Sequence, residues 1–155
     1  MAQPDNYSTK TLAECIGHDF GESDPVVVDQ QMINGFADVT GDHQWIHVDV
    51  EKATKHSPFG GPIAHGFLTL SLLAAAAESA EVAPKDAKAM LNYGLSQVRF
   101  LAPVLAGSTV RARYKLVGVD DKGGGNQLMR LEATLQADGA EKPAVVAELL
   151  AMVVG

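Results

Sequence analysis

Apolar residues recur at helical spacing in the first third of the chain. Between about Asp29 and Val39 they fall on one side of a 3.6-residue period: Met32, Ile33, Phe36 and Ala37. Asp29 is a residue type that favours helix N-caps, and Gly41 is the type that most often ends a helix. The pattern predicts a helix that stops just before Asp42, followed by a short helical turn from Glu51 to His56.

A strongly apolar segment from about His65 to Glu81 predicts the longest helix. It is rich in leucine and alanine, which are good helix formers, and it has apolar residues on nearly every side. A breaker cluster from Ser57 to Pro62 precedes it, so a new element must start there. Because a helix that is apolar all round is a buried one, we expect the rest of the domain to wrap around it.

The second half of the chain predicts antiparallel strands. Residues 110–116 and 129–136 alternate with a period of two, and the glycine-rich segment from Asp120 to Asn126 between them predicts a hairpin loop. Three further strands are expected at 26–29, 95–101 and 144–154. The last is apolar on both faces, so it should be central in the sheet or lie at a subunit contact. This order predicts an α+β fold in which an antiparallel sheet curves around one helix.

Length and charge narrow the function classes. The chain has 155 residues and a net charge of −7, which fits a single domain over residues 1–155 and argues against a nucleic-acid partner. The apolar segment is too short to cross a bilayer, and the N-terminus has no basic and apolar leader. Cys15 has no second cysteine to pair with. We therefore expect a cytoplasmic protein with no membrane partner.

An acid and an imidazole lie five residues apart in the polar segment after the first predicted helix, at Asp42 and His47. If the chain turns back after Gly41, the two side chains can share one water and exchange protons with it near neutral pH. The alternative is that Asp42 is only a turn residue and His47 only a packed one. Residue types alone leave these two interpretations about equally supported.

The same segment also allows a metal interpretation. His43 and His47 are four residues apart, which on a helix suits zinc, and Asp49 is a third possible ligand. The residues between them lack the glutamate of a metalloprotease helix, and no other histidine or cysteine pattern completes a closed site. We therefore expect no metal.

A second constellation lies where the breaker cluster meets the apolar helix, at His65 and Gly66. Unpaired N–H groups and the positive end of the helix dipole collect at such a helix start, which suits an acyl oxygen that gains negative charge. Gly66 has no side chain and would let a carbonyl approach the backbone. The alternative is that Gly66 only permits close packing, and the sequence does not decide whether His65 faces the site.

Five segments together resemble the MaoC-like dehydratases of the hotdog superfamily, in the branch of nodulation-protein-N-like proteins and (R)-specific enoyl-CoA hydratases: residues 40–49, 61–67, 92–95, 98–100 and 102–104. The resemblance covers nearly the whole chain. It implies a single hotdog domain, usually paired as a homodimer whose two sheets join. It also implies that Asp42 and His47 hold the reacting water and that the N–H of Gly66 polarises the thioester carbonyl.

The activity implied by the resemblance is reversible syn addition of water to a trans-2-enoyl-CoA, giving an (R)-3-hydroxyacyl-CoA. No cofactor is implied; coenzyme A, or less readily acyl carrier protein, carries the substrate, and Arg99, Arg111 and Arg113 are the cations that could meet it. Many relatives have Asn-Pro where this chain has Gln44 and Trp45, so Gln44 is expected to support His47 or the water with its amide. Some hydratases have a serine near the water where this chain has Ala74.

Two other functions stay open. An acyl-CoA thioesterase would use the same helix start as an oxyanion site. A non-catalytic subunit of a dehydratase would bind the acyl thioester without turnover, although the presence of both Asp42 and His47 argues against it.

Overall fold

The computed structural model describes residues 3–155. Four α-helices and six strands follow one another after a short 3-10 helix at Leu12–Cys15. The helices are α1 Gln30–Thr40, α2 Trp45–Val48, α3 Val50–His56 and α4 Gly66–Ser79. The strands are β1 Asp19–Glu22, β2 Val26–Val28, β3 Ala89–Phe100, β4 Ser108–Gly123, β5 Asn126–Ala137 and β6 Val145–Val154. None of the helices in the described part of the chain is long and apolar enough to cross a bilayer.

Helix α1 forms where the sequence predicts it. The Asp29 carboxylate accepts a hydrogen bond from the N–H of Met32, which caps the first turn. Gly41 ends the helix with φ at +84°, a left-handed conformation that glycine adopts without steric cost. Ile33 and Ala37 are fully buried on the core side. The predicted start and end of this helix are both confirmed.

The strands form one antiparallel sheet in the order β1-β4-β5-β6-β3, with β2 also paired to β4. Helix α4 packs against β4, β5 and β6. Strand β6 lies between β5 and β3, so the central position expected from its two apolar faces is confirmed. The predicted α+β architecture, a sheet packed on one long helix, is also confirmed.

Several strand boundaries predicted from the sequence are wrong. The expected loop from Asp120 to Asn126 is only a two-residue turn, because Gly123 pairs with Asn126 and the strands continue to that point. Gly124 and Gly125 have φ of +63° and +84°, which is the backbone of a tight primed turn. Strand β3 begins at Ala89 rather than 95, since its pairing with β6 continues past the irregularity beside Gly94. Strand β1 was not predicted.

The predicted wrapping of the sheet around α4 is confirmed, but the sheet leaves one side of the helix uncovered. The buried face carries Leu68, Thr69, Leu73, Ala76 and Ala77. On the other side, Phe67, Ser71 and Ala74 are exposed. A largely apolar cavity of about 330 Å³ separates this side from β3 and β6. The helix is thus open along the face that borders the cavity.

Candidate active site

A loop of four residues, 41–44, joins α1 to α2 and carries Asp42. The left-handed Gly41 turns the chain, and α2 then begins at Trp45 and carries His47. The Asp42 carboxylate is exposed and accepts a hydrogen bond from the N–H of Gln44 at 3.3 Å. The turn after Gly41 that would let Asp42 and His47 converge is therefore present.

His47 is buried and held from two directions. Its Nδ1–H donates to the carbonyl oxygen of Ile63 at 2.7 Å, and Gln30 donates from Nε2 to the carbonyl oxygen of His47 at 2.7 Å. With Nδ1 engaged as a donor, the lone pair of the neutral ring lies on Nε2. Burial lowers the pKa of His47, and nearby His65 lowers it further. The bond to Ile63 and the charge of Asp42 oppose this without cancelling it. His47 is therefore a neutral proton acceptor near neutral pH.

The lowered pKa of His47 predicts how activity depends on pH. A reaction that uses its neutral form should be lost only as the pH falls through a value below the ordinary histidine pKa of about 6.5. Because the folded pKa is below the unfolded one, stability should also rise with pH across the window between the two values. Rate profiles from pH 4 to 9 should give an acid limb below about 6.5; a limb at higher pH would contradict the neutral assignment.

His65 lies against both residues. Only 2% of it is exposed, and its Nε2–H donates to the backbone carbonyl of Asp42 at 2.9 Å. Its ring stacks on His47 with centroids 3.9 Å apart and is flanked by Phe36 at 4.9 Å. One side-chain ligand atom from each of Asp42, His47 and His65 lies within 4.8 Å of the other two. The fold thus brings together three residues that the sequence singled out.

One water can span the three ligand atoms, which all lie within 4.8 Å of one another. Two atoms hydrogen-bonded to the same water lie about 4.6 Å apart. The zinc interpretation built on His43 and Asp49 is wrong. His43 is paired with Asp38 at 2.9 Å, which raises the pKa of His43, and Asp49 caps α3.

Gly66 is the first residue of α4, so its N–H has no acceptor within the helix. A Cβ at this position would lie 3.2 Å from the ring of Phe100 on β3. The close-packing interpretation of Gly66 is therefore confirmed, and it is compatible with a role for the N–H group. Gly66 directly follows His65, which is a member of the cluster with Asp42 and His47.

The predicted roles of Gln44 and of the arginines differ from what the structure shows. The Gln44 side chain is exposed and makes no hydrogen bond within residues 3–155; only its backbone N–H supports Asp42. The side-chain amide that holds His47 comes from Gln30, which the sequence analysis missed because nothing in its spacing marks it. Among the arginines, Arg111 is paired with Asp138 and Arg113 with Glu22. Arg99 has no acidic partner in the described chain.

The comparisons with known proteins assign the family. The model of the MaoC-like domain matches residues 11–138. The chain belongs to the MaoC-like dehydratase family. This MaoC-like chain is 49% identical over 141 residues to 3-hydroxyacyl-thioester dehydratase Z of Mycobacterium tuberculosis, covering 91% of this chain and 92% of that protein. It is 44% identical over 138 residues to nodulation protein N of Rhizobium leguminosarum bv. viciae, covering 89% and 86%.

A solved structure of similar fold supports the same assignment. The R-hydratase of Pseudomonas aeruginosa, in its unliganded form, superposes on the MaoC-like chain with a TM-score of 0.72 at 26% identity, covering 96% of this chain and 86% of that one. The hotdog fold and the membership of an enzyme family of dehydratase type, both expected from the motifs, are confirmed. The residues of the cluster keep their predicted roles as proposals.

Proposed function

We propose that this protein is an (R)-specific enoyl-CoA hydratase, which adds water reversibly to a trans-2-enoyl-CoA to give an (R)-3-hydroxyacyl-CoA. One observation carries the proposal: a carboxylate, Asp42, and a neutral imidazole, His47, have ligand atoms within 4.8 Å of each other and of His65, the residue that directly precedes α4. Water activation and carbonyl polarisation are the two needs of this reaction. The dehydratase and R-hydratase relatives support the same chemistry.

Each group has a defined task in the proposed reaction. Asp42 and His47 orient the water and take one of its protons as its oxygen bonds to C3 of the enoyl thioester. The electron pair of the double bond moves toward the thioester carbonyl, whose oxygen gains negative charge. The N–H of Gly66 and the positive end of the α4 dipole stabilise that charge. A proton then passes from the Asp42 and His47 pair to C2, and the pair is restored.

The cavity beside α4 is the proposed place of the acyl chain. It starts at Phe67, the residue after Gly66, and its lining is mostly apolar, with Leu70, Met90, Leu95 and Leu149 among its residues. Coenzyme A enters only as the carrier of the substrate, and Arg99, which has no acidic partner among residues 3–155, is the arginine proposed to meet its phosphates. No metal or redox cofactor has a part in the proposal, and we place the reaction in the cytoplasm.

We also propose that two copies of the chain pair through β3. This strand is the last of the sheet, so one of its edges has no partner within the described chain. Leu91, Tyr93 and Leu95 alternate along it and are 54%, 60% and 45% exposed. An exposed apolar edge of this length normally recruits another strand. A homodimer joined at β3 would cover these side chains and extend the sheet.

The pairing predicts a change of mass in solution. We expect the wild-type chain to sediment at twice 16.3 kDa and the Leu91→Lys variant to shift toward the monomer, because a charge at the joined edge opposes strand pairing. The control is Val39→Lys, which changes an apolar residue that is 82% exposed on α1. A wild-type monomer, or equal dissociation of both variants, would contradict pairing at β3.

The test of the function is a hydration assay across trans-2-enoyl-CoAs of increasing chain length, with chiral analysis of the product. We expect loss of the enoyl thioester absorbance and formation of the (R)-3-hydroxyacyl-CoA. Release of free thiol without hydroxyacyl product would indicate a thioesterase instead. Tight acyl-CoA binding with neither product would indicate a binding subunit.

A further inference from the structure

His65 carries a buried hydrogen-bond acceptor that nothing in the described chain satisfies. Its Nε2 is engaged with the Asp42 carbonyl, so in the neutral ring Nδ1 is left with a lone pair. This Nδ1 is buried and has no hydrogen-bond partner among residues 3–155. Polar atoms buried in native proteins are nearly always paired. The unpaired nitrogen therefore indicates that a donor from outside the protein binds there.

The surroundings of His65 identify the donor. His65 shares its cluster with Asp42 and His47, since one ligand atom of each residue lies within 4.8 Å of the other two. His47 cannot donate to His65, because the two rings are stacked with an interplanar angle of 24° and hydrogen bonds to ring nitrogens lie in the ring plane. The donor that the proposed reaction itself supplies is a hydroxyl group, either of the water or of the substrate.

We propose that Nδ1 of His65 accepts a hydrogen bond from the O–H that survives the reaction. The inference rests on the proposed hydratase function and deepens it. When water adds, its oxygen bonds to C3 and one of its two O–H bonds breaks, while the other remains as the 3-hydroxyl of the product. His65 holds that second hydrogen throughout.

When His65 holds the retained hydrogen, Asp42 and His47 are both available for the proton that is transferred. If Asp42 or His47 also had to hold the retained hydrogen, only one of them would remain to take a proton and return it to C2. His65 has a second, structural contact, because its Nε2–H anchors the loop that carries Asp42. The two ring nitrogens thus have separate tasks, and suitable substitutions can separate them.

A pair of amide substitutions separates the two tasks. His65→Asn puts a carboxamide where Nδ1 lies and loses the bond to Asp42, whereas His65→Gln puts its amide near Nε2 and loses the acceptor at Nδ1. We expect His65→Asn to keep kcat for hydration of crotonyl-CoA within about tenfold of wild type and His65→Gln to lose about 100-fold. If His65→Gln keeps as much activity as His65→Asn, the ring only anchors the loop and the inference is overturned.

A binding measurement covers the case in which His65→Asn fails to fold. In an Asp42→Asn background that suppresses turnover, Kd is measured for (R)-3-hydroxybutyryl-CoA and for butyryl-CoA, with and without His65→Gln. We expect His65→Gln to weaken binding of the hydroxyacyl thioester about tenfold or more and to leave butyryl-CoA unchanged. Equal losses would overturn the inference. If the wild type itself shows no hydration, the hydratase function is overturned. If the wild type hydrates crotonyl-CoA but the two ligands lose equal affinity, only the inference about His65 is overturned.

Discussion

Asp42→Asn should reduce kcat for hydration of crotonyl-CoA by about 10³-fold, within the range found for groups that transfer protons. The amide has the shape of the carboxylate and keeps the oxygen that accepts from the N–H of Gln44, but it cannot take a proton. Since Asp42 is exposed, the free energy of unfolding should change by less than about 0.5 kcal/mol. Steady-state kinetics and thermal unfolding of the same preparation measure the two effects.

Asp38→Asn is the matched control for this variant. Asp38 is also an exposed carboxylate, four residues earlier, but it is paired with His43 and lies outside the cluster. We expect its kcat to equal that of the wild type. A loss in Asp38→Asn as large as in Asp42→Asn would show that the segment needs its net charge rather than a proton acceptor at Asp42.

His47→Gln should also reduce kcat by about 10³-fold or more. The amide of glutamine reaches the place of Nε2 and can still hold a water, but it accepts no proton. This variant should in addition lose about 1–3 kcal/mol of stability, because the carbonyl of Ile63 is left without its buried donor. His47→Asn can keep a donor near the place of Nδ1, so it should be as inactive and more stable. Kinetics and urea unfolding of both variants test this pattern.

His43→Gln is the control for the histidine variants. His43 is exposed and bound to Asp38, which raises its pKa, in contrast to the lowered pKa of buried His47. We expect His43→Gln to keep wild-type kcat and an unchanged acid limb in the rate profile. If it shifts that limb while His47→Asn does not, the two histidines have been assigned the wrong way round.

Helices and strands with a strong apolar period could be predicted from the sequence. Their ends could be predicted only where nearby residues set them. Helix α1 was predicted with both caps because Asp29 and Gly41 act within one turn of it. The lengths of β3 and β4 were underestimated, since pairing with a neighbouring strand carries them through glycine and polar positions that break the pattern. Strand β1 has only four residues, too few for a period to show. The extents of β1, β3 and β4 were set by pairing with neighbouring strands.

The residues proposed to transfer protons could be predicted from the sequence, but the residues that hold them in place could not. Asp42, His47 and Gly66 could be singled out because an acid, an imidazole and a helix-start glycine can together activate water and polarise a carbonyl. Gln30, which holds the backbone of His47, lies 17 positions away and belongs to an ordinary helix start. Gln44 seemed to be the supporting amide because it is near in sequence. A hydrogen bond across such a distance depends on how α1 packs against α2, which no linear pattern reports.

The bond from His47 to the carbonyl of Ile63 has a consequence for the evolution of the site. The tautomer of the histidine is set by a main-chain oxygen, which every amino acid possesses. The side chain at this position lines a neighbouring cavity together with Phe59, Thr69 and Leu101, and it can change without altering that oxygen. Substitutions of the Ile63 side chain can therefore reshape the wall of this cavity while His47 keeps the same ionisation state. Only a change in the path of the chain between α3 and α4 would disturb it.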